Sequence, residues 1–334
     1  MILVTGGTGL VGSHLLYHLL QKEKSVKAIH QKTSDLNAVK TIFCYYTSDF
    51  ETIFNKIDWV EASLNNIPVL EVAFAEITHV YHCAAFVSFN PSDYKKMRQI
   101  NIEGTTNIVN LCIKNSIKKL CFTSSIAAVE KNSGNNFIDA SENWNKDSYK
   151  SAYAITKYGA EMEVWRASQE GVDVVIVNPG VILGAGFWHK GTSNLFYKIN
   201  RGFKFYTQGV TGFVGVKDVV LIMQKLMQSD IKNERFILVS ENISFRELFF
   251  NIADALQKKR PSIKVSPFLS EIIWRLETLK YYLTRKAPLI TKNSARASQS
   301  KSYYTSEKII KALHYTLEPI QNVIQKIGED FNKK

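Results

Sequence analysis

The chain has 334 residues, of which 45% are hydrophobic and 22% charged, a length and composition suited to a globular protein with a large core. It contains no run of about 18 apolar residues, and a strand pattern begins directly at Met1. We therefore expect neither a membrane-spanning helix nor a signal peptide, and we predict a cytoplasmic location. The net charge of +12 comes largely from residues 258–311, where thirteen Lys and Arg stand against three acids. A solvated basic face, an anionic ligand and a membrane surface all remain open as its explanation, and no nucleic-acid-binding motif accompanies it.

Cysteine usage supports the same location. The four cysteines form no C-x-x-C pair and lie in apolar runs, which predicts reduced, buried thiols and no metal site; they are Cys44, Cys83, Cys112 and Cys121.

Short apolar runs alternate with helical segments, the pattern of βαβ units and a doubly wound parallel sheet. The first strand covers Ile2–Val4, and a helix with apolar residues at helical spacing follows over 10–20. Further strands are predicted at Val26–Ile29, Trp59–Glu61, Thr78–Cys83, Lys119–Thr123, Val172–Val177 and Phe236–Val239. We predict an α/β fold with a dinucleotide-binding Rossmann domain over 1–180, to which 213–240 returns. A smaller, mostly helical substrate-binding part is expected over 181–212 and 241–334.

A glycine-rich turn joins the first strand to the first helix. Gly6, Gly9 and Gly12 form G-x-x-G-x-x-G, in which missing side chains permit a tight turn, close approach to a pyrophosphate and packing of helix on strand. The helix N-terminus adds free N–H groups and the positive end of a dipole. The predicted cofactor contacts here are Gly6, Thr8, Gly9, Leu10, Val11 and Gly12.

The end of the second strand is expected to select the cofactor. An acid at this place binds the ribose hydroxyls of NAD, whereas a basic residue accommodates the 2′-phosphate of NADP. The sequence has His30-Gln31-Lys32 and no acid before Asp35. We predict NADP as the preferred cofactor, with Lys32 as a phosphate partner, and NAD as the alternative.

Three residues predict the reaction centre. Tyr153 and Lys157 lie four residues apart in a helical segment and so share one face. A phenol with an ordinary pKa of about 10 is a poor proton shuttle at neutral pH, and a nearby ammonium favours the phenolate and lowers that pKa. Ser125 follows a strand end, where α/β sheets present ligand-contacting residues.

With these segments together, the chain resembles the extended short-chain dehydrogenase/reductase superfamily, the NAD-dependent epimerase/dehydratase type, over nearly its whole length. Besides the glycine turn and Ser125, Tyr153 and Lys157, the resemblance rests on His82-Cys83-Ala84-Ala85, Asn101-Ile102-Glu103-Gly104-Thr105 and Pro179-Gly180-Val181-Ile182. Asn178-Pro179 is similar to the dihydroflavonol and cinnamoyl-CoA reductase branch.

The resemblance implies roles for these residues. Tyr153 would be the general acid/base, Lys157 would bind the nicotinamide ribose and tune Tyr153, and Ser125 would polarise the carbonyl. Further cofactor contacts are implied for Ala84, Ala85, Pro179, Val181 and Ile182, and for Ser63-Leu64, which replaces the family's Asp-Leu at the adenine. Asn101 would be catalytic or brace its helix, and His82 would be a buried histidine with satisfied hydrogen bonds.

The same resemblance bears on the substrate. Members that act on nucleotide sugars carry an arginine before a Phe-Val-x-Val-x-Asp segment, and Thr211–Asp218 has none. The predicted pocket residues are Phe86, Ser88, Phe187 and Trp188, with Phe89, Phe203 and Tyr206 as further candidates. They indicate a small apolar or aromatic substrate for an NAD(P)-dependent carbonyl reductase or alcohol dehydrogenase. A nucleotide-sugar epimerase or dehydratase with bound NAD and a non-catalytic cofactor sensor are the alternatives.

The partners expected are a small-molecule substrate and no nucleic acid, with an oligomer left open. A membrane-surface role is a further hypothesis, because interfacial helices combine aromatic and basic residues as this chain does in Trp274, Tyr281 and Tyr282 beside Arg275, Lys280 and Arg285.

Overall fold

Parallel strands form the central layer of the molecule. The computed structural model describes residues 1–88, 90–129, 137–140, 144, 150–284 and 290–333. The strands are β1 (Ile2–Thr5), β2 (Val26–His30), β3 (Ile57–Glu61), β4 (His79–His82), β5 (Lys119–Thr123), β6 (Asp173–Pro179), β7 (Val181–Leu183), β8 (Phe205–Tyr206), β9 (Val210–Gly215), β10 (Glu234–Leu238), β11 (Glu241–Ser244) and β12 (Ile263–Lys264). The α-helices are α1 (Leu10–Leu20), α2 (Leu36–Cys44), α3 (Phe50–Phe54), α4 (Ile67–Ala73), α5 (Tyr94–Arg98), α6 (Gly104–Lys114), α7 (Ala152–Gln169), α8 (Asn194–Asn200), α9 (Val216–Gln228), α10 (Phe245–Ala255), α11 (Pro267–Thr284), α12 (Lys292–Ala297), α13 (Glu307–Leu313) and α14 (Ile320–Asn332).

Within the described residues, seven strands form one parallel sheet in the order β3-β2-β1-β4-β5-β6-β10. Each strand predicted from the sequence is present in this sheet, with ends shifted by at most two residues. The chain winds outward from β1 in both directions, so the topological switch point lies between β1 and β4. The doubly wound α/β prediction is therefore confirmed, and a ligand is expected at the carboxyl ends of these two strands.

Helices cover both faces of the sheet and explain its apolar composition. On one face, α1 and α9 pack over the strands through residues such as Leu16 and Met223. On the other face, α6 and α7 do so through Ile108 and Val164. The central strand β5 is buried at every position. Strands covered on both faces must be apolar on both, which is why they read as continuous apolar runs.

The chain after β6 adds smaller sheets and a third hydrophobic cluster. Strands β7 and β11 flank β9, and β8 pairs with β12. Phe213, Leu248 and Ile324 join these strands to α10 and α14. Within 213–240, β10 pairs with β6 while α9 packs on α1. The predicted domain boundaries are not tested by this arrangement and stay a prediction.

The four cysteines differ in exposure. Cys112 and Cys121 are buried and Cys83 is partly buried, whereas Cys44 is exposed, and all four are free thiols. The expectation of burial is wrong for Cys44 because the last residue of α2 faces solvent although its sequence neighbours are apolar. No helix in the described part of the chain has the length and apolarity needed to cross a membrane.

Candidate active site

The glycine turn after β1 is shaped by contacts that leave no room for side chains. Gly6 has a φ of +70°, and a Cβ built on it would lie 2.6 Å from the Ala84 backbone nitrogen. A Cβ on Gly12 would lie 2.2 Å from the Gly6 carbonyl oxygen. Gly9 begins α1 without a side-chain cap, so the first N–H groups of the helix stay available for a phosphate. Leu10 and Val11 pack on the hydrophobic core and hold this helix end against the sheet.

A cleft of about 340 Å³ opens at the switch point between β1 and β4. Of the predicted cofactor residues, Gly6, Thr8, Gly9, Leu64, Ala84 and Ala85 line it. Phe86, predicted for the substrate pocket, lines it too. Ile29, His30, Gln31 and Cys83 also line it and belong to segments singled out in the sequence, whereas Ser34, Lys96 and Ile100 were not predicted. The position of the cleft matches the rule that open α/β sheets bind ligands at the switch point.

The loop after β2 is tied to the glycine turn through Ser34. The Ser34 hydroxyl oxygen accepts hydrogen bonds from the Thr8 hydroxyl at 3.1 Å and from the Gln31 backbone N–H at 3.1 Å. Asp35, the first acid after the strand, caps α2 by accepting from the Asn37 and Ala38 N–H groups. None of the described residues that line the cleft carries a carboxylate.

Lys32 and Ser63 lie differently from their expected positions. Lys32 is exposed and is not among the residues that line the cleft. Ser63 is also exposed, and its hydroxyl accepts a hydrogen bond from the Asn65 N–H at 3.3 Å. Its neighbour Leu64 is buried in the cleft wall, where its carbonyl accepts a hydrogen bond from the Asn107 side chain. The structure thus places Leu64, and not Ser63, against the cleft.

Ser125, Tyr153 and Lys157 come together where β5 ends and α7 begins. The Ser151 hydroxyl caps α7 by accepting from the Ala154 N–H at 3.1 Å, which fixes the first turn that carries Tyr153. The Ser125 side chain is hydrogen-bonded to the Tyr153 side chain. One turn further along α7, the Lys157 ammonium donates to the Thr123 carbonyl at 2.7 Å and lies 4.4 Å from the centre of the Phe122 ring.

Burial controls the protonation of these groups. It raises the pKa of Tyr153 above its ordinary value, and the hydrogen bond with Ser125 partly offsets the rise. It lowers the pKa of Lys157 to about 8, against the attraction of the Glu161 carboxylate. The expectation of a lowered pKa for Tyr153 is therefore wrong, because burial outweighs the other influences on this phenol. At neutral pH Tyr153 keeps its proton and Lys157 its charge.

A buried ion pair on α7, one turn beyond Lys157, was not predicted. Glu161 is fully buried, and its carboxylate accepts from the Ser124 hydroxyl at 2.7 Å and from the Asn178 side-chain amide at 3.0 Å. It also pairs with the Arg235 guanidinium at 3.0 Å. The Asn178 amide donates to the Ser125 carbonyl as well. The signal available in the sequence was an acid one turn after Lys157, on the same helix face as Tyr153.

His82 and Asn101 connect the elements around the cleft. His82 is buried between the hydroxyls of Thr5 and Thr105, and burial lowers its pKa to about 3. The prediction of a satisfied, buried histidine is confirmed. The Asn101 side chain bonds both backbone groups of Phe86 and donates to the Thr156 hydroxyl at 3.1 Å. Asn101 thus braces α7 against the loop after β4.

The remaining predicted residues are not among the described residues that line the cleft. Pro179 ends β6, and Val181 and Ile182 begin β7 and are partly buried. The Ser88 hydroxyl donates to Asp93 at 2.6 Å. Phe187 is partly buried and has a φ of +52°.

Trp188 is buried in the third cluster, where its indole donates to the Tyr45 hydroxyl at 3.0 Å and packs on Phe331. These contacts account for its burial without a ligand, so the structure assigns it to the core. Phe203 and Tyr206 pack against Phe249 and Phe250 of α10, and Phe89 lies outside the described residues.

Comparison with known proteins agrees with this geometry. The family model NAD_binding_4, described as male sterility protein, matches residues 4–214. A putative dihydroflavonol 4-reductase from Synechocystis sp. is 27% identical over 319 residues, covering 93% of this chain and 88% of the relative. Sterol demethylase protein B from Methylococcus capsulatus is 26% identical, with 89% and 88% covered. Anthocyanidin reductase from Arabidopsis thaliana is 26% identical, with 78% and 81% covered.

Solved structures share the fold over the whole chain. The crystal structure of gox2253 superimposes with a TM-score of 0.81 at 22% identity, covering 100% of this chain and 98% of the other. A UDP-glucose 4-epimerase from Thermotoga maritima gives a TM-score of 0.77 at 20% identity, covering 99% and 98%. These likenesses establish a common architecture.

Proposed function

Because the chain belongs to the NAD-binding family described as male sterility protein, within the extended short-chain dehydrogenase/reductase superfamily, we propose that it is a carbonyl reductase or alcohol dehydrogenase that acts through Ser125, Tyr153 and Lys157. It is an NAD(P)-dependent oxidoreductase by descent, since its relatives include dihydroflavonol, anthocyanidin and cinnamoyl-CoA reductases. The observation that carries the proposal is the placement of Ser125 beside a protonated, partly buried Tyr153, one helical turn from the Lys157 ammonium.

The residues of the cleft fit a dinucleotide. Gly6, Gly9 and the free N-terminus of α1 would hold the pyrophosphate, because only backbone is present at the closest approach. Ala84 and Ala85 line the same cleft as the glycine turn. When bound, the cofactor supplies a hydride to the carbonyl carbon or removes one from the alcohol.

The protein residues then handle the proton and the oxygen. Ser125 donates a hydrogen bond to the carbonyl oxygen and polarises it, while Tyr153 transfers its proton to that oxygen. Lys157 keeps its positive charge at neutral pH, so it stabilises the phenolate left on Tyr153 and binds the ribose hydroxyls. In alcohol oxidation the same groups act in reverse, with Tyr153 accepting the proton.

We propose NADPH as the preferred cofactor. The cleft presents His30, Gln31 and Ser34 at the end of β2, and Asp35 is occupied in capping α2. Without a carboxylate to bind the ribose hydroxyls of NADH, this end of the cleft suits a phosphate better. Lys32 is exposed and lies in the chain between Gln31 and Ser34, which line the cleft. Its side chain can therefore turn toward the cleft.

An apolar substrate is favoured over a nucleotide sugar. Phe86 lines the cleft, and Asn101 links its backbone to Thr156 of α7. The segment Thr211–Asp218 lacks the arginine expected for a nucleotide diphosphate, and the Asp218 carboxylate instead accepts from the Tyr315 hydroxyl at 2.7 Å and the Glu318 N–H at 2.9 Å. The nucleotide-sugar epimerase or dehydratase alternative is supported by the shared fold alone.

Turnover of a defined panel tests the proposal. The purified protein is mixed with NADPH or NADH and with aromatic ketones, aldehydes and acyl-CoA thioesters, and cofactor oxidation is followed by absorbance. UDP-glucose and dTDP-glucose are incubated in parallel with NAD, and the products are analysed by chromatography. We expect carbonyl-dependent oxidation of NADPH, a lower Kd for NADPH than for NADH, and unchanged sugar nucleotides. Conversion of a sugar nucleotide without carbonyl reduction would establish the alternative.

A further inference from the structure

Helix α11 carries a stripe of exposed apolar side chains. Phe268 and Leu283 are each 77% exposed, and Leu276 is 60% exposed. Together with Leu269, Ile272 and Leu279, they fall within an arc of about 100° when the helix turns by about 100° per residue. We call these six residues the apolar stripe. A helix of a soluble domain normally turns such a face toward the core, whereas this one turns it outward.

The opposite side of α11 is the one that contacts the protein. Ser270 is buried, and its hydroxyl oxygen accepts a hydrogen bond from the Gln299 side chain at 2.7 Å. The Trp274 indole nitrogen is buried, and the Glu277 side chain is only 17% exposed. The helix is therefore attached through this side, and the described residues leave the apolar stripe uncovered.

Basic side chains border the apolar stripe on both edges. Arg275 and Lys280 each lie about 20° outside the arc, on opposite edges, and their side chains are 59% and 48% exposed. The two acids of the helix, Glu271 and Glu277, lie farther round toward the protein and pair with them at 2.8 and 3.2 Å. From the adjoining helix α12, Lys292 lies 5.8 Å from the Trp274 ring centre and Arg296 lies 3.7 Å from Glu271.

We propose that α11 attaches the protein to an anionic lipid surface, with its axis in the membrane plane and the apolar stripe at the boundary between headgroups and acyl chains. Cations at the edges of an apolar arc reach the headgroups while the arc enters the apolar layer. The excess of thirteen Lys and Arg over three acids in 258–311 adds attraction to anionic lipid. A two-fold contact between copies would instead bring two such basic surfaces together, which like charges oppose.

Co-sedimentation with vesicles tests this proposal on the full chain. We expect the wild-type protein to pellet with vesicles of phosphatidylcholine and phosphatidylglycerol at low salt. Binding should weaken with phosphatidylcholine alone and with added salt, which screens charge. Leu276→Ser combined with Leu279→Ser should lower the partition coefficient by at least about tenfold, because two large side chains no longer leave water. Arg275→Gln with Lys280→Gln should lower binding to anionic vesicles only.

The control is Val72→Ser, which changes a 73% exposed apolar residue on α4, remote in sequence from α11. It should bind vesicles as the wild type does, and all variants should keep the thermal unfolding transition of the wild type. The proposal is overturned if the wild type fails to pellet with anionic vesicles at low salt, or if the two serine substitutions leave pelleting unchanged. Sedimentation as a dimer that the serine substitutions dissociate would assign the apolar stripe to a second copy instead.

Discussion

At the scale of single residues, burial shifts the pKa values of Tyr153 and Lys157 in opposite directions. Tyr153 is protonated at neutral pH, as an ordinary phenol is, and burial raises its pKa further, so it holds the proton that reduction of a carbonyl requires. Lys157 is charged but close to losing its proton, since burial lowers its pKa to about 8. A phenol and an ammonium in these states suit reduction, where a proton must be given and a phenolate then stabilised.

The lowered pKa of Lys157 predicts a pH dependence. Below about pH 8 the ammonium carries its charge, and above that pH the charge is lost. We therefore expect kcat/KM for NADPH, which reports the free enzyme, to be constant near neutrality and to fall as the pH rises through about 8. Lys157→Arg should keep its charge over this range and move the fall to higher pH, with a lower plateau because the guanidinium does not match the ribose. A profile that stays flat to pH 10 in the wild type would show that the Lys157 charge is not needed.

At the scale of the element, α7 presents its functional residues on one face. Tyr153, Lys157 and Glu161 follow each other at intervals of one turn. The Glu161 carboxylate connects the helix to residues of three neighbouring strands or their ends. Ser124 follows β5, Asn178 belongs to β6 and Arg235 to β10, and all three contact the Glu161 carboxylate. The segment that carries Ser124 and Ser125 and the helix α7 are thus held together by the same buried carboxylate.

Breaking this ion pair should be costly. Glu161→Gln removes a fully buried carboxylate that pairs with the Arg235 guanidinium, whose side chain is 13% exposed. Loss of one partner of a buried pair typically costs about 3–5 kcal/mol, so we expect urea denaturation to show a decrease in the free energy of unfolding of that size. Adding Arg235→Met should recover part of the loss.

The matched control is Glu71→Gln, which removes an exposed ion pair with Lys114 and should cost less than about 1 kcal/mol. Equal effects of the two single substitutions would contradict a special role for Glu161.

At the scale of the whole molecule, the sequence predicts the sheet better than the site. Strands buried on both faces have a clear apolar signature. The glycine turn is also readable, because only glycine fits where Gly6 and Gly12 approach the neighbouring backbone. The Glu161–Arg235 pair joins residues 74 positions apart, which no local pattern reveals. Strands β8 and β12 have two residues each, too few for a periodic signal.

Differences between the expected and the observed positions of site residues have physical causes as well. An aromatic residue after a strand end can serve a pocket or the core, and only the packing of Trp188 on Phe331 decides between them. A basic residue after β2 indicates a phosphate site by its charge, but the path of the loop decides whether Lys32 or Ser34 faces the cleft. In Ser63-Leu64 the leucine faces the cleft, whereas the serine hydroxyl accepts a hydrogen bond from the Asn65 N–H of its own turn.

The central claim is that the cofactor cleft and the partly buried Tyr153 act as one catalytic centre, and Tyr153→Phe tests it most directly. The substitution removes one hydroxyl, so NADPH affinity and the thermal transition should stay close to those of the wild type. Positioned proton transfer is typically worth about 10²–10⁴-fold. With a carbonyl compound that supports NADPH oxidation by the wild type, we therefore expect kcat of the variant to fall by about that factor. A Tyr153→Phe protein that binds NADPH normally and reduces the carbonyl at the wild-type rate would contradict the claim.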